Sequence, residues 1–130
     1  MGKRSILDAN TVIDYVGDRL PESAALVMDN LIDENLNTSI VVKIEALGFD
    51  GDPDEMQKLA DFLTLSTVFY VDDDMANKTI ALRKMYKKLK LGDAIIAATA
   101  LVHNFTLISR NMKDFQGIEG LTCINPHELT

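Results

Sequence analysis

The sequence predicts an α/β protein in which helices cover both faces of a parallel sheet. Short runs rich in β-branched and aromatic residues alternate with helical runs, and this alternation is typical of right-handed βαβ crossovers. The 130 residues suit one compact unit, so we expect a single domain over residues 1–130. Hydrophobic residues make up 47% and charged residues 25% of the chain, a composition that argues against intrinsic disorder.

Five runs have the composition of strands. The run 66–71 is the clearest because it combines β-branched and aromatic residues, and the run 5–7 ends directly at Asp8. The predicted strands are residues 5–7, 38–41, 66–71, 106–109 and 121–124.

The intervening runs carry helix signals. Asp52, Pro53 and Glu55 form a helix start in which Asp caps, Pro occupies the first position and Glu follows three residues later. The same segment superficially suggests a calcium loop, but capping explains it better because the glycine and glutamate of such a loop are missing. The predicted helices are residues 11–16, one beginning near Pro21, one between 41 and Gly48, one following Asp52, 72–86 and 92–103.

The charge balance limits how this chain could meet a nucleic acid. Thirteen Lys and Arg residues face twenty Asp and Glu residues, which gives a net charge of −7. A nucleic-acid function therefore requires a local basic patch or a bound metal ion. The lone Cys123 excludes an internal disulfide and fits a reducing cytoplasm. The longest apolar run, 94–102, has about half the roughly 18 residues of a membrane span, so we expect a cytoplasmic protein without a membrane partner.

Four acidic residues that are far apart in sequence are expected at one edge of the sheet. Asp8 directly follows the first strand, Asp114 follows the strand ending at residue 109, and Asp93 begins a helix. Glu45 lies one turn into the helix after the second predicted strand. Strand C-termini and the N-termini of the following helices meet at the same edge of a parallel sheet, which is where such folds bind ligands.

Two of these acids lie in apolar surroundings. Glu45 belongs to a nearly all-apolar helical turn, and Asp93 precedes a helix that is apolar on almost every side. The simpler alternatives are a partly exposed Glu45 whose stem lies on the sheet, and an Asp93 favoured by the helix dipole. Clustered carboxylates repel one another unless a cation joins them, and an oxygen-only ligand set suits Mg²⁺ or Mn²⁺ better than zinc.

The segments that carry these acids resemble a PIN domain, and within that family the VapC-like toxins of bacterial toxin–antitoxin pairs. The likeness extends over nearly the whole chain, to Pro126. The segments are residues 7–13, 44–48, 93–100 and 107–115.

This resemblance implies a three-layer α/β/α sandwich with a central parallel sheet, and cleavage of RNA that depends on Mg²⁺ or Mn²⁺. It implies that a water activated by the metal attacks the phosphodiester, that a cognate antitoxin protein binds the chain, and that the chain forms a homodimer. The implied catalytic and metal-binding residues are Asp8, Glu45, Asp93 and Asp114. The implied supporting polar residues are Asn10, Thr11 and Asn111.

The chain departs from the family pattern at three positions near these residues. Ala9 and Ser109 each replace a common Thr, and Gly92 replaces a common Pro. Loss of the hydroxyl at Ala9 is expected to weaken a hydrogen bond that orients Asp8. None of the three changes removes a metal ligand.

Two basic segments are candidates for RNA binding. Arg110 and Lys113 flank Asn111, and we expect them to contact a phosphate. Lys84, Lys87 and Lys88 precede Asp93 and either guide RNA or form a solvated helix face.

Other functions fit the sequence less well. Three Asp residues, 72–74, after the clearest strand suggest the phosphoacceptor of a receiver-like signalling domain, but Asn10 and Arg110 stand where that class needs an acid and a Lys. The same Asn10 argues against a hydrolase with an Asp nucleophile. A PIN-like RNA-binding module without catalysis is the remaining alternative, and the intact acids argue against it. His103, His127 and Cys123 lack ligand spacing and are expected to be structural or exposed.

Overall fold

The computed structural model describes residues 4–129 and contains five strands, seven α-helices and one 3₁₀ helix. The strands are β1 (Ser5–Leu7), β2 (Asn37–Ser39), β3 (Thr67–Phe69), β4 (Thr106–Ile108) and β5 (Cys123–Ile124). The helices are α1 (Ala9–Val16), α2 (Glu22–Glu34), α3 (Ile40–Leu47), α4 (Pro53–Thr64), α5 (Asp73–Met85), α6 (Leu91–His103) and α7 (Met112–Phe115), and the 3₁₀ helix is Pro126–Glu128.

The strands form two parallel ladders that lie side by side. One ladder has the order β1-β4-β5 and the other joins β2 to β3. Between the ladders, the side chains of β2 bond to the backbone of β1. Asn37 Nδ2 donates to the Ser5 carbonyl at 3.0 Å, and Thr38 Oγ1 donates to the Leu7 carbonyl at 2.9 Å. The five strands therefore follow one another in the order β3-β2-β1-β4-β5.

The central strands are covered on both faces, as the sequence predicts. Ile6 and Leu7 point to opposite faces of β1, and both are at most 2% exposed. Around the sheet, α1 packs with α3 and α4, while α5 packs with α6. The fold is thus the α/β arrangement with a central parallel sheet that the alternation of strands and helices predicts.

Three predicted strands are wrong by two residues at one end, and one of them, 121–124, is shortened to β5. The predicted strand 38–41 is replaced by β2, which ends at Ser39, and Ile40 already begins α3. Ser39 Oγ accepts from the Val41 amide at 3.0 Å and caps that helix, so a capping side chain overrides the β-branched residues that follow it. The predicted strand 66–71 is shortened to β3, and Tyr70 is exposed.

The aspartate-rich segments have capping functions. Asp52 accepts from the Glu55 amide at 3.2 Å, with Pro53 at the first helical position, which confirms the capping prediction over the calcium loop. Asp72 accepts from the Met75 amide at 2.9 Å, and Asp73 and Asp74 lie in the first turn of α5. Helix capping and dipole complementarity account for these three acids, so they give no support to the receiver-like alternative.

The helices over residues 4–129 are all too short or too polar to cross a bilayer.

We expect Thr38→Val to lower the free energy of unfolding by about 1–2 kcal/mol, because it removes the buried donor that joins β2 to β1. Denaturant unfolding monitored by circular dichroism measures the change. Thr67→Val is the matched control, since Thr67 lies on β3 and is exposed. Equal effects of the two substitutions would show that the bridge between the ladders adds no stability.

Candidate functional site

Asp8 stands at the carboxyl end of β1 and is 6% exposed. Its Oδ1 accepts from the Ala9 amide at 2.9 Å, so Asp8 caps α1. Its Oδ2 accepts from Ser109 Oγ at 2.8 Å and lies 3.4 Å from Asn10 Nδ2. Three donors from this chain therefore orient the carboxylate even though Ala9 lacks a hydroxyl.

Ser109 links the ends of β1 and β4. Its side chain is fully buried, and its hydroxyl donates to Asp8. The same oxygen accepts from Asn10 Nδ2 at 3.2 Å and from the Asn111 amide at 3.1 Å. One hydroxyl thus fixes Asp8, the start of α1 and the loop that leads to α7.

Glu45 and Asp93 lie on neighbouring helices. The position of a Cβ on Gly92 would be 3.5 Å from Glu45 Oε1, so the Glu45 carboxylate lies against the first turn of α6, beside Asp93. Glu45 is exposed and Asp93 half-buried. The apolar turn around Glu45 is not buried throughout, because Ile44 is 63% exposed, and this agrees with the alternative of a partly exposed Glu45.

Asp114 lies on α7. It is exposed, and its Oδ2 accepts from Asn111 Nδ2 at 2.9 Å. Its negative charge reaches Asp93, whose pKa it helps to raise. Asn111 therefore connects Asp114 to the Ser109 segment that holds Asp8.

The pKa values of three acids report their proximity. Burial is the main cause that raises the pKa of Asp8, while its hydrogen bonds to Ser109 and Ala9 oppose the rise. Burial also raises the pKa of Glu45, followed by the charges of Asp8 and Asp93. Burial, and then the charges of Asp8 and Asp114, raise the pKa of Asp93. We call these four acids, Asp8, Glu45, Asp93 and Asp114, the carboxylate cluster.

The donor chemistry of the carboxylate cluster fits a hard divalent cation. All of its side-chain ligands are oxygens, and each of the three raised pKa values falls when a positive charge is placed among them. Burial and the Asp8 charge raise the pKa of the nearby Cys123 thiol to about 11, and a thiol is a softer ligand than Mg²⁺ or Mn²⁺ prefers. Across residues 4–129, no three Asp, Glu, His or Cys side chains already stand in metal-binding geometry.

The other predicted site residues have mixed surroundings. Thr11 is fully buried and donates to the Ile108 carbonyl at 2.7 Å, so it ties α1 to β4. Lys113 is exposed on α7. The lysines that precede α6 are exposed, and among the described residues they make no ion pair: Lys84, Lys87 and Lys88.

The sequence-based prediction lacks the ion pair between the buried Asp14 and the half-exposed Arg110. Asp14, with a side chain 3% exposed, accepts from Arg110 Nη1 at 2.8 Å and lies 2.9 Å from His127 Nε2. The sequence signal is weak: Asp14 follows Asn10 by one helical turn and faces the same side of α1. The sequence gives no indication of the contact between His127 and Asp14, because the two residues are 113 positions apart.

Comparisons with known proteins agree with this fold. Residues 5–121 match the family model described as PIN domain, and no curated protein matches the chain. In a toxin–antitoxin complex from Klebsiella pneumoniae, one chain is 30% identical, with 96% of this chain and 99% of that chain covered and a TM-score of 0.74.

Two further solved structures share the fold. One is VapBC2 from Rickettsia felis bound to a DNA fragment from its promoter, at 22% identity, coverage of 93% and 97%, and a TM-score of 0.79. The other is DNA-bound VapBC from Salmonella typhimurium, at 21% identity, coverage of 96% and 99%, and a TM-score of 0.77.

We expect Asp93→Asn to raise the melting temperature of the metal-free protein at pH 7. The raised pKa of Asp93 means that ionisation costs more in the folded chain than in the unfolded chain. The protonated Asp93 carboxyl contributes its full stabilisation below the ordinary pKa of 3.8. This stabilisation is lost as the pH rises through the pKa that Asp93 has in the folded chain. The gain over wild type should therefore shrink towards about pH 3.

Thermal denaturation in EDTA across this pH range measures the effect. Glu119→Gln is the control, because it removes one exposed negative charge outside the cluster. A lower melting temperature of Asp93→Asn at pH 7 would contradict the repulsion argument.

Proposed function

The chain belongs to the PIN domain family, and we propose that it is a hydrolytic endoribonuclease that acts as the toxin of a toxin–antitoxin pair and depends on Mg²⁺ or Mn²⁺. The observation that carries the proposal is the carboxylate cluster: Asp8, Glu45 and Asp93 come from three separate elements, and the charge of Asp8 helps to raise the pKa values of the other two. The family match over residues 5–121 and the 30% identity to a chain of a toxin–antitoxin complex support it.

Each acid has a separate place in the proposed reaction. Asp8, Glu45 and Asp93 would hold the ion, and Asp114 would complete the site or support a second ion. When bound, the ion supplies a water of lowered pKa and offsets the negative charge of the phosphate. No side chain of the cluster has to act as a covalent nucleophile.

The polar residues around the cluster act on its orientation. Ser109 and Asn10 hold Oδ2 of Asp8 from one side, so Oδ1 and the remaining lone pairs keep a fixed direction. Asn111 restrains Asp114 in the same way. A ligand set held by hydrogen bonds loses little freedom when it binds an ion.

RNA binding on an acidic protein needs positive charge close to the cluster. Arg110 and Lys113 bracket Asn111 beside Asp114, and we assign them contacts to the RNA backbone. The exposed Lys84, Lys87 and Lys88 precede Asp93 and would form a track for the adjoining strand.

The same cluster offers a binding site for an antitoxin. We propose that a segment of the cognate antitoxin covers the Asp8 edge and inserts an Arg or Lys side chain. Its cation would pair with the carboxylates in place of the metal, and charge-assisted hydrogen bonds would hold it. Inhibition and metal binding then become mutually exclusive.

We also propose a homodimer formed through α3 and the start of α6. Ile44 is 63% exposed and Leu91 is 55% exposed. They precede Glu45 and Gly92 in sequence, and Glu45 and Gly92 lie close together. Met85, at the end of α5, is 66% exposed. Exposed large apolar side chains such as these are candidates for a protein interface.

We expect EDTA to abolish RNA cleavage by the purified protein, and Mg²⁺ or Mn²⁺ to restore it. Asp8→Asn and Asp93→Asn should each lower kcat by about 100-fold or more, while circular dichroism remains that of the wild type. Cleavage of single-stranded RNA, read on gels and by sequencing the product ends, measures this. Glu119→Gln should cleave like the wild type. Full activity in EDTA would overturn the metal-dependent mechanism.

We expect the wild-type protein to be a dimer by light scattering and Ile44→Asp to shift it to the monomer, because a charge replaces an apolar contact. Leu65→Asp, which introduces the same charge at an apolar residue 79% exposed at the end of α4, should stay dimeric. A monomeric wild type at high concentration would refute the dimer. Dissociation by Leu65→Asp alone would place the interface elsewhere.

A further inference from the structure

The Asp14 ion pair satisfies a buried charge from two directions. Arg110 Nη1 donates to both carboxylate oxygens, at 2.8 and 3.2 Å, and His127 Nε2 lies 2.9 Å from Oδ2. A carboxylate that is 3% exposed is costly unless it is paired and hydrogen-bonded. Asp14 therefore holds Arg110 and His127 firmly in place.

The same arginine is fixed to α1 a second time through its backbone. The Arg110 amide donates to Asn10 Oδ1 at 3.2 Å, and Asn10 is also bonded to Ser109. Asn10 and Asp14 are four residues apart and lie on one side of α1. Arg110 is thus anchored at its main chain by Asn10 and at its guanidinium by Asp14, and the Asn10 anchor belongs to the network around Asp8.

Most of the donor capacity of Arg110 is unused. A guanidinium has five N–H donors, and the Asp14 contact uses Nη1 alone. Within residues 4–129, Nε and Nη2 make no hydrogen bond, and 55% of the side chain is exposed. An oriented, half-exposed guanidinium can bind a phosphate with two parallel hydrogen bonds.

We propose that Asp14, supported by His127, is a positioning residue that holds the Arg110 guanidinium, one turn along α1 from Asn10, for a phosphate of the bound RNA. The inference rests on the proposed nuclease function and adds two residues to it. Pre-orientation lowers the freedom that Arg110 loses on binding. It also aligns the charge with the phosphate that reacts, so its effect falls on kcat more than on KM.

The test is a double-mutant cycle on single-stranded RNA with Mn²⁺. Asp14→Asn and Arg110→Gln should each lower kcat by about 10- to 100-fold with little change in KM. The double variant should be no slower than the slower single variant, because both changes remove one unit. Asp18→Asn is the control, since it removes the same charge from an exposed residue just after α1.

Two further variants separate orientation from folding. His127→Gln keeps a side-chain donor near Asp14 and should retain wild-type kcat, whereas His127→Ala should follow Asp14→Asn. Arg110→Lys can still pair with Asp14 but has no second fork for a phosphate, so its kcat should match that of Arg110→Gln. If Asp14→Asn fails to fold, wild-type kcat in Arg110→Lys overturns the proposal.

The remaining outcomes are distinct. Wild-type kcat in Asp14→Asn, or additive losses in the double variant, would overturn the positioning role and leave the nuclease function standing. A wild-type protein that cleaves no RNA with either metal would overturn the proposed function, and the positioning role with it.

Discussion

The hydroxyl of Ser109 donates to Asp8 at the point where β1 and β4 end side by side. This hydrogen bond joins two strands that are about a hundred positions apart in sequence, and it forms inside the protein, where neither group can turn to water instead. Asn10 and Asn111 bond to the same hydroxyl. The position of α1, the loop before α7 and the direction of the Asp8 carboxylate all depend on it.

That arrangement gathers negative charge, which the fold alone does not balance. Burial and mutual repulsion raise the pKa values of Glu45 and Asp93, so the folded protein is less stable at neutral pH than the same chain with a cation between these groups. The contrast with Asp14 is informative. Asp14 is more deeply buried, yet Arg110 neutralises it and His127 lies within hydrogen-bond distance of it. The chain thus pairs one buried acid with a cation of its own, Arg110, and in the part that the structure describes it forms no ion pair with the carboxylate cluster.

The sequence predicted those features that depend on local pattern. The alternation of strands and helices predicted the parallel sheet, and Asp52 with Pro53 predicted the start of α4 correctly. The carboxylates came together because strand ends and helix starts share an edge. The errors arose where a single side chain outweighs a pattern: the Ser39 cap turns Ile40 and Val41 into helix.

Contacts between distant segments were beyond any local pattern. His127 meets Asp14 across 113 positions, and no spacing along the chain predicts such a pair. The bridge between the two ladders is of the same kind, because Thr38 uses a side chain to bond a backbone group of β1. In both contacts, a buried polar group is hydrogen-bonded to a partner from a distant segment. The same holds more widely, since no buried side-chain N or O of the described residues lacks a hydrogen-bond partner.

The acidic balance of the chain also restricts where RNA can lie. A net charge of −7 repels a polyanion over most of the surface, but screening limits that repulsion to about 8 Å at physiological salt. Within that distance, the charges of nearby side chains determine whether RNA is attracted or repelled. Arg110 keeps exposed donors beside Asn10, and the exposed Lys87 and Lys88 precede the turn that carries Asp93. On the proposed RNA path, a strand held by these cations would pass over the carboxylates, whose charge a bound metal ion would offset. Metal binding and RNA binding at this edge would then favour one another.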